Sequence, residues 1–229
     1  GPAEYHMVRL LDPNIIFDRN YISEYAYSKA FNRETDLALI KAFDSSTEKN
    51  DILLDYFIKK LEGVDLIIYC SGIGIINKEL DYNKEKKVNN LNVSGFTQVI
   101  THAYNYFVKK GSGHIVNISS IASEIGNGIA PSYNASKAFQ ANYLQGLRFK
   151  SSKLKLPIFL TDVRPGFVDT DILMGNKDKL LWVAPLDKAC KQIADGIDRK
   201  SKVLYITRRW KIISLVIKIL PESILLKFF

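Results

Sequence analysis

The sequence predicts an α/β fold, a doubly wound parallel sheet with helices on both faces. Three observations predict it. Short β-branched, apolar runs alternate with longer helical stretches along the chain. The runs are near-continuously apolar, as strands covered on both faces are. No internal repeat, low-complexity linker or break in composition divides residues 1–207, so they form one domain, followed by a basic, apolar tail over residues 208–229.

The elements follow in order. Asn14 to Phe17 is a short strand ending at Asp18, and Leu37 to Phe43 is a second ending at Asp44. Leu53 to Leu61 is an amphipathic helix, with Leu53, Leu54, Phe57, Ile58 and Leu61 on one face. Asp65 to Cys70 is a buried strand stopped by Ser71-Gly72, and residues 89–109 form one long helix. Gly111-Ser112-Gly113 leads into a strand over His114 to Ser119, and Tyr133 to Phe149 is helical. Leu156 to Val163 is a strand ending before Arg164-Pro165-Gly166. Asp187 to Arg199 is a helix and Val203 to Thr207 a last strand.

Composition excludes several classes. Two cysteines, Cys70 and Cys190, are too few for a disulfide framework or a thiolate metal cluster. His6, His102 and His114 lack metal-ligand spacing, so no zinc is expected. These features favour a reducing, cytoplasmic setting. The net charge of +8 suits an anionic partner, but the cations are spread along the chain except at its C-terminal end. No nucleic-acid-binding signature accompanies them. The chain opens on Gly1-Pro2 without an initiator Met, which reads either as a cleavage scar or as the interior of a longer protein.

Tyr133 and Lys137 carry the chemistry. Four residues apart at a helix start, they point from one face. A free tyrosine titrates near about 10 and is a poor acid or base at neutral pH. An ammonium a few ångströms away favours the phenolate and makes the hydroxyl a usable proton donor or acceptor. Ser120 lies 13 residues upstream, at the carboxyl edge of the sheet, where its hydroxyl can meet a carbonyl oxygen. By itself a Tyr-x-x-x-Lys spacing is common by chance.

The surrounding motifs are more specific. Gly113-His114-Ile115-Val116-Asn117-Ile118-Ser119-Ser120, followed by Ser132-Tyr133-Asn134-Ala135-Ser136-Lys137, resembles the short-chain dehydrogenase/reductase family. Asn92-Val93-Ser94-Gly95 resembles its helix asparagine motif, and Arg164-Pro165-Gly166-Phe167-Val168-Asp169-Thr170 its Pro-Gly motif. The four motifs stand in the family's order, and the resemblance covers residues 1–207.

The resemblance implies a Rossmann-like fold and an NAD(P)-dependent oxidoreductase that interconverts a carbonyl and an alcohol by hydride transfer. By motif position, Tyr133 is the general acid/base, Lys137 lowers its pKa and binds the nicotinamide ribose, Ser120 orients the substrate carbonyl, and Asn92 holds a water linking Lys137 to solvent. Gly72, Pro165, Gly166, Val168 and Thr170 are expected at the nicotinamide end of the cofactor, and Asp44 with Ser45 beside the adenine. Asp18 would accept from the ribose hydroxyls, which favours NAD; Arg19 could instead pair with a 2′-phosphate, which favours NADP. The expectation leans to NAD. A homo-oligomer joined through the helices of Asn92 and Tyr133 is implied as well.

Two departures from the family pattern stand out. After Gly1 the next glycine is Gly63, so the family's first strand and most of its pyrophosphate-cradling loop are missing from the chain, with Gly1 reading as the loop's last glycine. Tyr69-Cys70-Ser71-Gly72 stands where the family shows Asn-Asn-Ala-Gly, and a local effect on stability is expected.

The tail, from Arg208 to Leu220 and past Pro221, is too short and too interrupted by lysines to span a bilayer. Three readings stand: an interfacial helix on a membrane surface, a lid over the substrate cleft, or a dimer contact. The tail also hints at a small hydrophobic carbonyl or alcohol substrate. Set against the enzyme is a different class, a non-catalytic Rossmann-like binding or membrane-associated scaffold protein.

Overall fold

The computed structural model describes residues 37–40, 54–55, 58–59, 61–169, 180 and 182–226. Their sheet has five parallel strands in sequence order: β1 (Leu37–Ile40), β2 (Leu66–Tyr69), β3 (Gly113–Ile118), β4 (Ile158–Pro165) and β5 (Val203–Ile206). Leu37 stands opposite Leu66, Leu66 opposite His114, Gly113 opposite Ile158, and Asp162 opposite Val203. The expected strand over Asn14–Phe17 lies outside the described residues, and within the expected Leu53–Leu61 helix the described Leu54, Asp55, Ile58 and Lys59 are helical.

Strand side chains alternate between faces, and β2 shows both. Ile67 and Tyr69 join Ile115 and Leu160 under α2 (Phe96–Lys110) and α3 (Pro131–Leu154), through Phe96, Val99, Ile100, Ala103, Phe107 and Leu144. Leu66, Ile68 and Cys70 join Val116, Ile118 and Val163 on the other face, under Ala189, Cys190, Ile193 and Ile197 of α4 (Leu186–Asp198). Each large side chain buried this way contributes about 1.5–3 kcal/mol.

Two elements differ from the sequence reading, and the tail takes the helical form expected of it. The long helix expected over residues 89–109 is three pieces: α1 (Tyr82–Asn89), a π-helical segment over Asn90–Gly95, and α2. Asp81 starts α1 by accepting from the Asn83 amide at 2.8 Å, and Gly111 ends α2 in the left-handed region at φ 89°. β4 runs on through Arg164 and Pro165, whose backbones pair in register with Tyr205 and Ile206. The tail is a helix, α5 (Arg209–Ile219), broken at Pro221 and followed by the single turn α6 (Glu222–Leu225).

Tyr69, in the departure beside Gly72, packs edge-to-face on Phe96 with centroids 5.4 Å apart. Its buried hydroxyl has no hydrogen-bond partner among the described residues. Burial, with Cys70 beside it, pushes its pKa up. The departure from the family pattern thus sits in the core, where an unpartnered hydroxyl costs stability.

Candidate active site

The site forms at the carboxyl ends of β2, β3 and β4, where open parallel sheets take ligands. Beyond β2 the chain runs through Gly72-Ile73-Gly74, and Asn92 holds it there. The Asn92 Oδ1 accepts from the Ile73 amide at 2.9 Å, and its Nδ2 donates to the Ile73 carbonyl at 2.8 Å. The same Nδ2 donates to Ser136 Oγ at 3.0 Å, so one buried amide joins the β2 loop to α3. Asn92 lies within the π-helical segment, a local widening common at functional sites.

α3 delivers Tyr133, Ser136, Lys137 and Gln140 from one side. Lys137 is buried, and its Nζ lies 5.9 Å from the centre of the Tyr133 ring. That Nζ lies 3.5 Å from the Ile118 carbonyl and 3.4 Å from Gln140 Oε1. A Cβ on Gly72 would stand 2.9 Å from Lys137 Nζ and 3.4 Å from Asn92 Oδ1. A Cβ on Gly74 would stand 3.2 Å from the Tyr133 ring. The Gly-Ile-Gly run therefore passes directly against the ammonium and the phenol.

The start of α3 is pinned from outside. Ala130, its N-cap, supplies no side-chain acceptor. Glu85 of α1 supplies one instead: its Oε2 accepts from the Ser132 amide at 3.0 Å and from the Ser132 hydroxyl. Its Oε1 accepts from Asn77 Nδ2 at 2.6 Å. The Ser132 hydroxyl first, then Asn77, holds the Glu85 carboxyl below the usual carboxylate range.

Ser120 follows β3 and is buried. Its Oγ accepts from the Ala122 amide at 3.1 Å and so opens the turn Ile121–Glu124. That turn ends in a buried ion cluster. The Arg164 Nε donates to Asp162 Oδ2 at 2.6 Å and its Nη1 to Glu124 Oε1. Tyr205 donates to Glu124 Oε1 at 2.9 Å, and Lys218 Nζ lies 2.9 Å from Glu124 Oε2. Burial pushes the Glu124 carboxyl up, but Lys218, Tyr205 and Arg164 outweigh it and hold it at about 2. The cluster ties the segment after Ser120, the segment before Pro165 and the tail helix into one unit.

The structure thus brings Asn92, Lys137 and Gly72 into contact, with Tyr133 adjoining and Ser120 on the same sheet edge. Pro165 ends β4. On Gly166, the place a Cβ would occupy is filled by the Trp210 indole from α5. Val168 is buried in the core cluster with Ala184 and Ile197. The expected cofactor contacts at Gly1, Asp18, Arg19, Asp44, Ser45 and Thr170 lie outside the described residues. The sequence reading missed Glu85, Gln140 and Gly74. The spacing of Gln140, three after Lys137, and the Gly72-x-Gly74 pair were visible signals. Glu85 left none, because its partner is 47 residues away.

Residues 14–180 match the profile of the short chain dehydrogenase family. The chain is 24% identical over 164 residues to an uncharacterized oxidoreductase of Myxococcus xanthus, covering 71% of this chain and 64% of that protein. It is 28% identical over 128 residues to cis-4-hydroxycyclohexanecarboxylate dehydrogenase of Sinomonas cyclohexanicum, covering 54% of this chain and 50% of that one. The chain thus spans roughly half to two thirds of these relatives' length. Among solved structures, a short chain dehydrogenase of Burkholderia cenocepacia in complex with NADP superposes with a TM-score of 0.66 at 16% identity, covering 79% of this chain and 75% of that one. ElxO with NADP bound superposes with a TM-score of 0.62 at 20% identity, covering 72% of this chain and 74% of that one.

Proposed function

Because the chain belongs to the short-chain dehydrogenase family, we propose that it serves an oxidoreductase that interconverts a carbonyl and an alcohol, with Tyr133 as general acid/base. The observation carrying this reading is the approach of Gly72-Ile73-Gly74 to Lys137 and Tyr133, fixed by Asn92. Two bare α-carbons there leave a flat ledge beside a phenol and an ammonium, which suits a nicotinamide ring and its ribose. Lys137, Gly72 and Pro165 would hold that end of the cofactor.

A nicotinamide held there in its reduced form would supply the hydride that the carbonyl carbon needs. The Tyr133 hydroxyl gives its proton to the carbonyl oxygen, and the Lys137 ammonium stabilises the phenolate left behind. Ser120, at the β3 edge, donates a hydrogen bond to the same oxygen and orients it. In the reverse direction the Tyr133 phenolate takes the alcohol proton.

The substrate class is a small hydrophobic carbonyl or alcohol. Trp210, Trp182 and Phe167 stand edge-to-face beyond β4, at 6.0 and 5.7 Å, and give that end an aromatic wall. The relative named for a hydroxycyclohexanecarboxylate supports a cyclic secondary alcohol. For the cofactor, the lean to NAD from Asp18 gains no support. Solved neighbours carry NADP, and Arg19 offers the cation a 2′-phosphate needs, so NADP is the form to test first. Assembly with a second copy through α2 and α3 is part of the reading, supported by the exposed Phe139 and Phe149 on α3.

Fluorescence titration of the full-length protein with NADPH and NADH tests the reading, followed by turnover of cyclic ketones. Saturable binding and loss of turnover in Tyr133→Phe are expected. Binding of neither nucleotide favours the scaffold alternative. Undiminished turnover in Tyr133→Phe sinks the mechanism.

A further inference from the structure

The tail helix α5 is built inside out. Its inner face is partly polar. Trp210 is 9% exposed and covers Gly166, while Ser214 is 1% exposed and bonds the Tyr205 hydroxyl at 3.0 Å. Two turns on from Trp210, Lys218 reaches Glu124. These contacts fix the helix's rotation. Consequently Ile212, Leu215, Val216 and Ile219 face solvent, with Ile212 65% and Ile219 81% exposed.

At about 100° per residue, these four apolar residues fill an arc of about 100° opposite Trp210 and Ser214. Exposed cations border both edges of that arc: Arg209 on one side, Lys211 on the other. From Arg208 to Pro221 the sequence has no acidic residue. Past Pro221, Leu226 is exposed as well.

We propose that the outward face of α5 docks this protein on an anionic membrane surface, lying in the interface with its apolar arc among the acyl chains and its flanking cations at the headgroups. An apolar face bordered by Lys and Arg is the pattern of an interfacial helix. An 11-residue helix is about 16 Å long, roughly half a bilayer's hydrocarbon core, and lies along the surface rather than across it. No helix among the described residues is long and apolar enough to cross a membrane.

Charge selects this occupant over a second copy. A two-fold contact places the same surface on both sides, so Arg208, Arg209 and Lys211 would meet a partner face whose sole acid from Arg208 to Leu226 is Glu222. Anionic headgroups supply the missing counter-charge, and the net charge of +8 favours approach to them. The inference is independent of the catalytic reading, since none of the outward residues enters the site.

Flotation with phosphatidylcholine vesicles, with and without phosphatidylserine, tests it. The full-length protein is compared with the triple variant Ile212→Ser, Leu215→Ser, Ile219→Ser, whose changed positions are exposed and leave the inner contacts intact. Binding to phosphatidylserine vesicles is expected to weaken with salt and to fall at least ~10-fold in the variant, while NADPH binding is unchanged. Absence of flotation overturns the proposal, as does equal flotation of the variant. A dimer in sedimentation that the variant disperses, without vesicle binding, assigns the face to a second copy and overturns it too.

Discussion

The Gln140 side chain donates an Nε2 hydrogen to the main-chain carbonyl of Asn92 at 2.8 Å, in the fully buried seam between α3 and the π-helical segment. The family resemblance gives Asn92 a water that relays protons to Lys137. In this chain a side chain reaches the Asn92 carbonyl, and its other end sits 3.4 Å from Lys137 Nζ while accepting from Asn117 Nδ2 at 3.3 Å. Gln140 thereby positions both Asn92 and Lys137.

Gln140→Met keeps the unbranched shape and removes these bonds. A buried carbonyl left without a partner costs about 1–3 kcal/mol, seen as a lower urea midpoint at unchanged slope. With Lys137 less firmly held near Tyr133, the limb of the pH–rate profile that reports the tyrosine moves to higher pH. A residue that only fills space would lower the midpoint and leave the limb in place.

Glu85 acts on the same helix from its outer end. Because Ala130 provides no cap, the Glu85 carboxylate is the side-chain acceptor for the Ser132 amide, one residue before Tyr133. Removing a capping acceptor costs about 1 kcal/mol, so Glu85→Ala is expected to lower the melting midpoint modestly. Its sharper effect is on kcat, since the first turn of α3 aims the phenol. Glu85→Gln retains an oxygen acceptor and should recover most of the loss. Equal kcat in the Ala variant would remove Glu85 from the site.

These two residues mark where the sequence stops being legible. The strands were readable because Leu66–Tyr69 and Gly113–Ile118 are apolar runs whose identity needs no partner. Tyr133 and Lys137 were readable because four-residue spacing on a helix is local geometry. Glu85, by contrast, sits in Tyr82–Asn89, a polar segment that reads as a solvated face, and only Ser132 across the fold gives it a role. The π-helical turn at Asn92 has the same origin: the Ile73 backbone, 19 residues away, draws the side chain in. The tail's apolar pattern was visible, but not its orientation. Tyr205 and Glu124, already placed in the fold, draw Ser214 and Lys218 inward and leave the isoleucines outside.

His114 makes stability depend on pH. It is buried in β3, with Nε2 2.8 Å from Thr161 Oγ1. Burial first, and the Lys200 charge second, bring its pKa from 6.5 down to about 4. The unfolded chain therefore binds a proton before the folded one does. Stability is fully present above pH about 6.5, is lost as pH falls towards about 4 and changes no further from this group below that, a total of about 3 kcal/mol. Urea midpoints measured between pH 7 and 4 should show this slope, and His114→Gln should flatten it. Further acid sensitivity lies lower: the contribution of Glu124 is lost as pH falls from 4.5 towards about 2, and Glu85, also held below the usual carboxylate range, adds to it. An unchanged slope in the variant would assign it to another group.

Gly72 provides the most local test of the site. A methyl group there would lie 2.9 Å from Lys137 Nζ, closer than side-chain carbons approach. The atom in its way is the end of a flexible side chain, so Lys137 moves while the backbone stays. Gly72→Ala is thus expected to fold with a near-normal midpoint yet lose about 10- to 100-fold in kcat, a barrier increase of about 1.4–2.8 kcal/mol. Gly146 is the control. It lies within α3 with nothing within 4 Å of the added methyl, so Gly146→Ala should stabilise the helix by up to about 1 kcal/mol and leave kcat unchanged. If Gly72→Ala turns over normally, the ledge beside Lys137 and Tyr133 is not where the reaction takes place.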